Sequence, residues 1–292
     1  MMRQLLQFWR RRWWRPDPAA LAAFAGLKPM TVVTGGSEGI GFELARRFAA
    51  AGSAVMLVAR RAGPLEEAAA QIRAESKGKA VVLPLDVTLP DAIPKIEAAL
   101  ASHGAYADVL INSAGMGLSG SFHAHPPGDI LRLIDLNVRA LSHMTRHFLP
   151  GMRVRGRGGI LNVASLGGYA PGPNQAVYYA SKAFVLSLTE AIAAETAGEG
   201  VRVCALAPGP VNTRFHERMG AENALYRSFV PPASAQSVAR AGYRGFVLGL
   251  RVTIPGLINP FLALAMRIMP HRIVIPIVGW LLQPRQGERK DA

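Results

Sequence analysis

Short apolar runs alternate with helix-patterned segments along most of this 292-residue chain, and that alternation constrains the fold more than any other feature. Residues 30–34, 54–59, 81–85, 109–112, 159–165, 201–207 and 252–254 read as strands. Between them, residues 65–76, 91–102, 129–152, 176–197 and 234–246 carry the residue types and periodicity of helices. Strands that are apolar throughout, rather than alternating, are buried on both faces. Regular β–α alternation therefore predicts a parallel sheet covered by helices on both sides. In such sheets, functional residues gather at the carboxyl ends of the strands.

The first strand leads into Gly35-Gly36-Ser37-Glu38-Gly39-Ile40-Gly41 and then a helical pattern to residue 51. Glycines in this strand–turn–helix frame let the backbone approach a pyrophosphate, and the helix N-terminus faces it. The predicted fold class is thus α/β: a single Rossmann-type doubly wound parallel sheet of about seven strands. The expected organisation is an N-terminal arm over residues 1–29, an α/β domain over 30–255 and an amphipathic extension over 256–292.

A second informative stretch runs from Ser165 to Lys182. A serine ends an apolar run, a Gly/Pro-rich loop follows, and Tyr178 precedes Lys182 by four residues. With Asn174 as N-cap, Tyr178 and Lys182 share one helix face. A free tyrosine, with a pKa of about 10, is a poor acid or base at neutral pH. A neighbouring ammonium favours the phenolate and lowers that value. A nearby serine hydroxyl can hold a substrate carbonyl.

Taken together, Thr34-Gly-Gly-Ser-Glu-Gly-Ile-Gly41, Asp86-Val87, Asn112-Ser-Ala-Gly115, Asn137, Ser165, Tyr178-x-x-x-Lys182 and Pro208-Gly209 resemble the short-chain dehydrogenase/reductase family over about residues 30–255. Ser113 departs from the pattern, since the family usually has a second asparagine there. The resemblance implies that Tyr178 is the proton donor in reduction and the base in oxidation. Lys182 would lower the Tyr178 pKa and hold the nicotinamide ribose. Ser165 would orient the carbonyl, and Asn137 would anchor a relay water behind Lys182. It also implies that Gly35, Ser37, Gly39, Ile40, Gly41, Asp86, Val87, Asn112, Ala114 and Gly115 contact the cofactor, with Asp86 on the adenine. Pro208, Gly209, Val211 and Thr213 complete that set. Residues 210–230, including Phe215, Met219, Tyr226 and Phe229, would close over the substrate. The helices carrying His143 and Tyr178 are the family's usual dimer surfaces.

The second strand ends in Val58-Ala59-Arg60-Arg61, where NAD binders usually place an acid. Guanidinium matches phosphate in charge and bidentate geometry, so Arg60 and Arg61 favour NADP(H). The expected activity is hydride transfer between NADP(H) and a carbonyl or secondary alcohol on an apolar, lipid-like substrate. The alternatives are a non-catalytic dinucleotide-binding scaffold or redox sensor at a membrane, and a polyol or hydroxy-amino-acid dehydrogenase.

Charge separates the ends from the middle. The net charge is +14, yet residues 1–15 hold five arginines and no acid, and residues 251–292 hold six basic residues against two acids. Arginine interleaved with Trp9, Trp13 and Trp14 suits an anionic lipid interface. No apolar core of signal-peptide length follows these charges, and no recognition motif points to nucleic acid. The apolar runs of residues 255–282 are broken by prolines and are too short to span a bilayer. The expectation is a cytoplasmic homodimer or homotetramer with peripheral contact to an anionic membrane. Single Cys204 reads as a small core hydrophobe. His143 and His147, the His123/His125 pair, and Arg153, Arg155 and Arg157 read as surface residues, with no metal site.

Overall fold

The computed structural model describes residues 18–76, 79–221 and 224–283. The basic arm of residues 1–15 lies outside them. A short helix α1 (Pro18–Ala22) precedes β1 (Lys28–Thr34), α2 (Gly39–Ala50), β2 (Ala54–Ala59), α3 (Ala62–Glu75) and β3 (Ala80–Pro84). There follow α4 (Ala92–Ser102), β4 (Ala105–Asn112), α5 (Pro127–Ile134), α6 (Leu141–Arg155) and β5 (Gly159–Val163). The chain continues through α7 (Ala176–Glu195), β6 (Arg202–Leu206), β7 (Val211–Asn212), α8 (Phe215–Met219) and α9 (Tyr226–Phe229). It ends with β8 (Ala233–Ser234), α10 (Ala235–Leu248), β9 (Val252–Thr253), α11 (Asn259–Ile268) and α12 (His271–Leu281).

Seven strands form one parallel sheet in the order β3-β2-β1-β4-β5-β6-β9, as the alternation predicts. The chain switches direction across the sheet between β1 and β4, which opens a crevice at their carboxyl ends. One buried cluster, including Leu44, Leu57, Leu65 and Phe246, fills one side of the sheet. Another, including Met56, Ile96, Met144 and Met152, fills the other. Cys204 sits buried on β6, as its apolar surroundings predict.

Three local readings need correction. Asn174 does not cap α7; it takes a left-handed conformation at φ 64°, and Gln175 occupies the N-cap position. Asparagine tolerates that conformation better than most residues, so the same side chain suits a turn as well as a cap. Residues 129–152 do not form one long α-helix. A π-helical turn, Asp135–Ala140, separates α5 from α6 and carries Asn137. Arg155 is not a solvated charge. Its guanidinium stacks over Phe24 and Tyr106, 4.4 and 4.2 Å from the ring centroids, and donates to the Ala107 carbonyl. Arg153 and Arg157 pair with Glu199 and Asp108, and His147 with Glu97.

Candidate active site

The glycine turn between β1 and α2 closes tightly on its neighbours. Gly35 has φ 67°, and a Cβ there would lie 2.8 Å from the Ala114 amide nitrogen. A Cβ on Gly41 would lie 2.3 Å from the Gly35 carbonyl oxygen. Neither position accepts a side chain. Gly39, at φ 60°, begins α2, whose unpaired N–H groups face the crevice. The Thr34 hydroxyl accepts from the amides of Ser113 and Ala114 and so joins this turn to the one after β4. Gly35, Ser37, Gly39, Ile40 and Gly41 line a cavity of about 960 Å³, as do Ala114 and Gly115.

Arg60 and Arg61 lie exposed at the end of β2 and line the same cavity. Arg61 reaches Glu38 of the glycine turn at 3.5 Å. Two further arginines from the segment after β7 converge on that carboxylate, Arg214 at 2.5 Å and Arg218 in a close ion pair. Burial raises the Glu38 pKa, but its hydrogen bonds and charge contacts with Arg218 and Arg214 outweigh that and hold it below the usual carboxylate range. Asp86 and Val87 line the cavity beyond β3, and the Asp86 carboxylate accepts from the Thr88 amide and hydroxyl.

Past the switch point, Ser165, Tyr178 and Lys182 lie on the same wall, between the carboxyl end of β5 and the first turns of α7. The Ser165 hydroxyl accepts from the Gly167 amide at 3.1 Å. Lys182 is buried, with its ammonium donating to the Val163 carbonyl at 2.8 Å and lying 5.8 Å from the Tyr178 ring centroid. Burial pushes Tyr178 up to about 12, opposed in part by a hydrogen bond with Ser165. Burial also pushes Lys182 down to about 8. Desolvation disfavours both charged forms.

Asn137 projects from the π-helical turn. Its amide accepts from the Met116 N–H at 2.9 Å and donates to the Met116 carbonyl at 2.8 Å and the Ser181 hydroxyl at 3.1 Å. It ties the turn after β4 to α7 directly behind Lys182. Asn112, expected at the cofactor, turns away from the cavity. Its side chain donates to Thr145 and Asn162, and Asn162 donates in turn to Thr189. This buried chain of amides and hydroxyls links β4, β5, α6 and α7, where every member must find a partner. Pro208, Gly209, Val211 and Thr213 line the cavity as expected.

The far end of the cavity is largely apolar. Met116, Phe215, Met219, Leu262, Met266 and Leu281 line it. Tyr226 also lines it, with its hydroxyl 3.4 Å from His216 Nδ1. Phe229, expected to face the substrate, points outward against Trp280. Two contributors lack any strong motif. Glu38 hides inside a glycine turn read for its glycines. Gln175 lies three residues before Tyr178, and its Nε2 is buried at the cavity wall with no partner among the described residues.

The two glycines that exclude a Cβ, the α2 N-terminus and the arginines at β2 fit a nicotinamide dinucleotide lying across the switch point. The profile of the short chain dehydrogenase family matches residues 29–224. A short-chain dehydrogenase from Sphingobium yanoikuyae, solved in complex with NADPH, superimposes with a TM-score of 0.72 at 35% identity, covering 79% of this chain and 88% of that one. A bulky-bulky ketone specific alcohol dehydrogenase from Comamonas testosteroni superimposes with a TM-score of 0.67 at 30% identity, covering 79% and 87%. The very-long-chain 3-oxoacyl-CoA reductase of Macaca fascicularis is 33% identical over 194 residues, 65% of this chain and 62% of that one.

Proposed function

The chain belongs to the short-chain dehydrogenase family and is an oxidoreductase acting on alcohol or ketone groups; on that premise we propose that it uses NADP(H) and acts on a carbonyl or secondary alcohol borne by an apolar, lipid-like substrate. One observation carries this reading. A single cavity joins an arginine-flanked glycine cradle, the Ser165–Tyr178–Lys182 wall and an apolar far end.

When bound, NADP(H) supplies or accepts the hydride. The remaining work falls to this chain's own side chains. With its pKa near 12, Tyr178 keeps its phenolic proton across the neutral range and can deliver it to a carbonyl oxygen as that oxygen becomes an alkoxide. In the reverse direction the phenolic oxygen takes the proton back. Ser165, on the same wall as Tyr178, holds the same substrate oxygen and fixes its orientation. Lys182 stands behind them on the Val163 carbonyl, and Asn137 fixes the turn against which it lies. The methionines and aromatic rings of the far wall exclude water. The unpartnered Gln175 amide favours a substrate with one more acceptor oxygen near the reacting carbon.

NADPH-bound and bulky-ketone relatives support the cofactor and substrate class. A scaffold without catalysis would have no use for Ser165, Tyr178 and Lys182 gathered on one cavity wall. We further place the protein in the cytoplasm as a homodimer or homotetramer in peripheral contact with an anionic membrane. Among the described residues, no helix is long and apolar enough to cross one.

The test is NADPH oxidation with a panel of ketones of increasing chain length and a matched panel of keto-sugars. Each buried CH₂ contributes about 0.8 kcal/mol, so kcat/KM should rise roughly fourfold per added methylene until the cavity is filled. Faster turnover of the keto-sugars would overturn the substrate class in favour of a polyol dehydrogenase.

A further inference from the structure

The two C-terminal helices are apolar on both of their faces. On the inner side, Ala263, Val274, Val278 and Leu282 are buried, the last three packing with Ala170 and against Tyr179 and Tyr226. On the outer side, Phe261, Leu264 and Ile268 fall at i, i+3 and i+7 of α11, with Leu257 just before the helix, and Leu257 and Phe261 are 90% and 74% exposed. Ile273, Ile277 and Trp280 repeat the pattern on α12, each about half exposed. A surface helix ordinarily turns charged residues outward, and a helix apolar all round is ordinarily buried. This paired face meets neither condition within the described residues.

The same two helices form the outer wall of the catalytic cavity. Leu262, Met266 and Leu281 face inward, and Ile277 both lines the cavity and reaches the surface. Charge surrounds the face on one side only of the scale. Residues 223–287 carry seven arginines and no acidic residue, and Arg267 and Arg272 lie within α11 and α12 themselves.

We propose that the outer face of α11 and α12 docks on an anionic lipid bilayer, and that the apolar substrate passes from the acyl-chain region into the cavity beside Ile277. The inference rests on the apolar-substrate reading above. Charge selects the occupant. A second copy meeting this face across a two-fold axis would set Arg267 and Arg272 against their own copies, with no acid in the segment to pair them. A bilayer accepts the isoleucines, Leu257 and Phe261 at the acyl boundary, Trp280 at the interface and the arginines among anionic headgroups. The face also stands away from the first described helix. The first described helix, α1, packs near α6 at the amino edge of the sheet, where Phe24 meets Tyr106. The α11–α12 face stands at the opposite, carboxyl edge, beside the cavity.

The experiment uses the full-length chain with vesicles of phosphatidylcholine, alone or mixed with phosphatidylglycerol, followed by flotation at low and high salt. The variants are Leu257→Ser, Phe261→Ser and Trp280→Ser, none of which lines the cavity. The unsubstituted protein should float with the acidic vesicles and keep a salt-resistant fraction. Each substitution should weaken that fraction by about tenfold, the loss expected for one large apolar side chain. Turnover of a short water-soluble ketone should not change, while turnover of a long-chain ketone carried in the vesicles should fall with binding. No flotation, or flotation that all three variants retain, would overturn the docking face. Variants that instead turn a dimer into a monomer by sedimentation would overturn it in favour of a second copy. Loss of flotation with undiminished turnover of the vesicle-borne ketone would overturn the route. If the protein floats but reduces no apolar ketone, the substrate class fails and the docking face stands.

Discussion

At the residue scale, burial shifts Tyr178 and Lys182 in opposite directions, the phenol up and the ammonium down. Their four-residue spacing is legible in the sequence, but spacing alone does not reveal that the ammonium lies 5.8 Å from the ring and is held by a backbone carbonyl. Asn112 shows the same gap. Its motif marks it as a site residue, whereas its amide is committed to Thr145 and Asn162 on elements far off in sequence. Side-chain partners at such separations leave no local signal. The arginines after β2 are a clearer case, because charge at a strand end depends only on that strand being where its apolar run predicts. Arg61 already leans toward Glu38, which leaves Arg60, without an ion pair among the described residues, as the freer phosphate ligand. A charge-assisted contact is worth about 1.5–3 kcal/mol, and exposure puts Arg60 at the low end. Arg60→Ala should therefore weaken NADPH binding about tenfold and leave NADH binding nearly unchanged, as read by fluorescence titration of both. Equal losses for the two cofactors would remove Arg60 from the phosphate site.

At the element scale, the seven strands and the helices between them were legible because fully apolar runs have no other place in a folded chain. Short elements were not. The Asp135–Ala140 π-turn keeps the composition of an α-helix, and only the need to aim Asn137 at the turn after β4 distinguishes it. The small β7–β8 pair and the helices α8 and α9 are likewise too short to show periodicity. Their placement has a consequence for the segment after Thr213. Arg214 and Arg218 clasp Glu38, so the stretch covering the substrate end is fastened to the glycine turn at the cofactor end. Three arginines sharing one carboxylate also lower the negative potential that Glu38 would otherwise present to an anionic cofactor. Glu38→Gln should loosen this clasp. Limited proteolysis within residues 214–230 should quicken in the variant and slow again when NADPH is added. An unchanged cleavage rate without cofactor would show that the clasp does not hold the segment.

Across the whole molecule, the fold separates two tasks that one cavity then joins. The β1–β4 switch point carries the glycine cradle and the arginines, while β5, α7 and the C-terminal helices carry the reacting hydroxyls and the apolar wall. The sequence marks both regions, yet the distance between them along the chain hides that α11 and α12 close the far end. If the division is real, chemistry can be removed without disturbing the cofactor. Tyr178→Phe takes away one oxygen from a ring on the cavity wall and leaves the cradle, the arginines and Lys182 in place. The decisive measurement is the turnover of this variant with a ketone that the unsubstituted enzyme reduces, made beside an NADPH titration of the same protein. The account predicts that turnover falls by at least about 10²-fold, the usual contribution of a positioned acid, while the NADPH Kd stays nearly unchanged. Near-normal turnover, with NADPH bound as before, would contradict it.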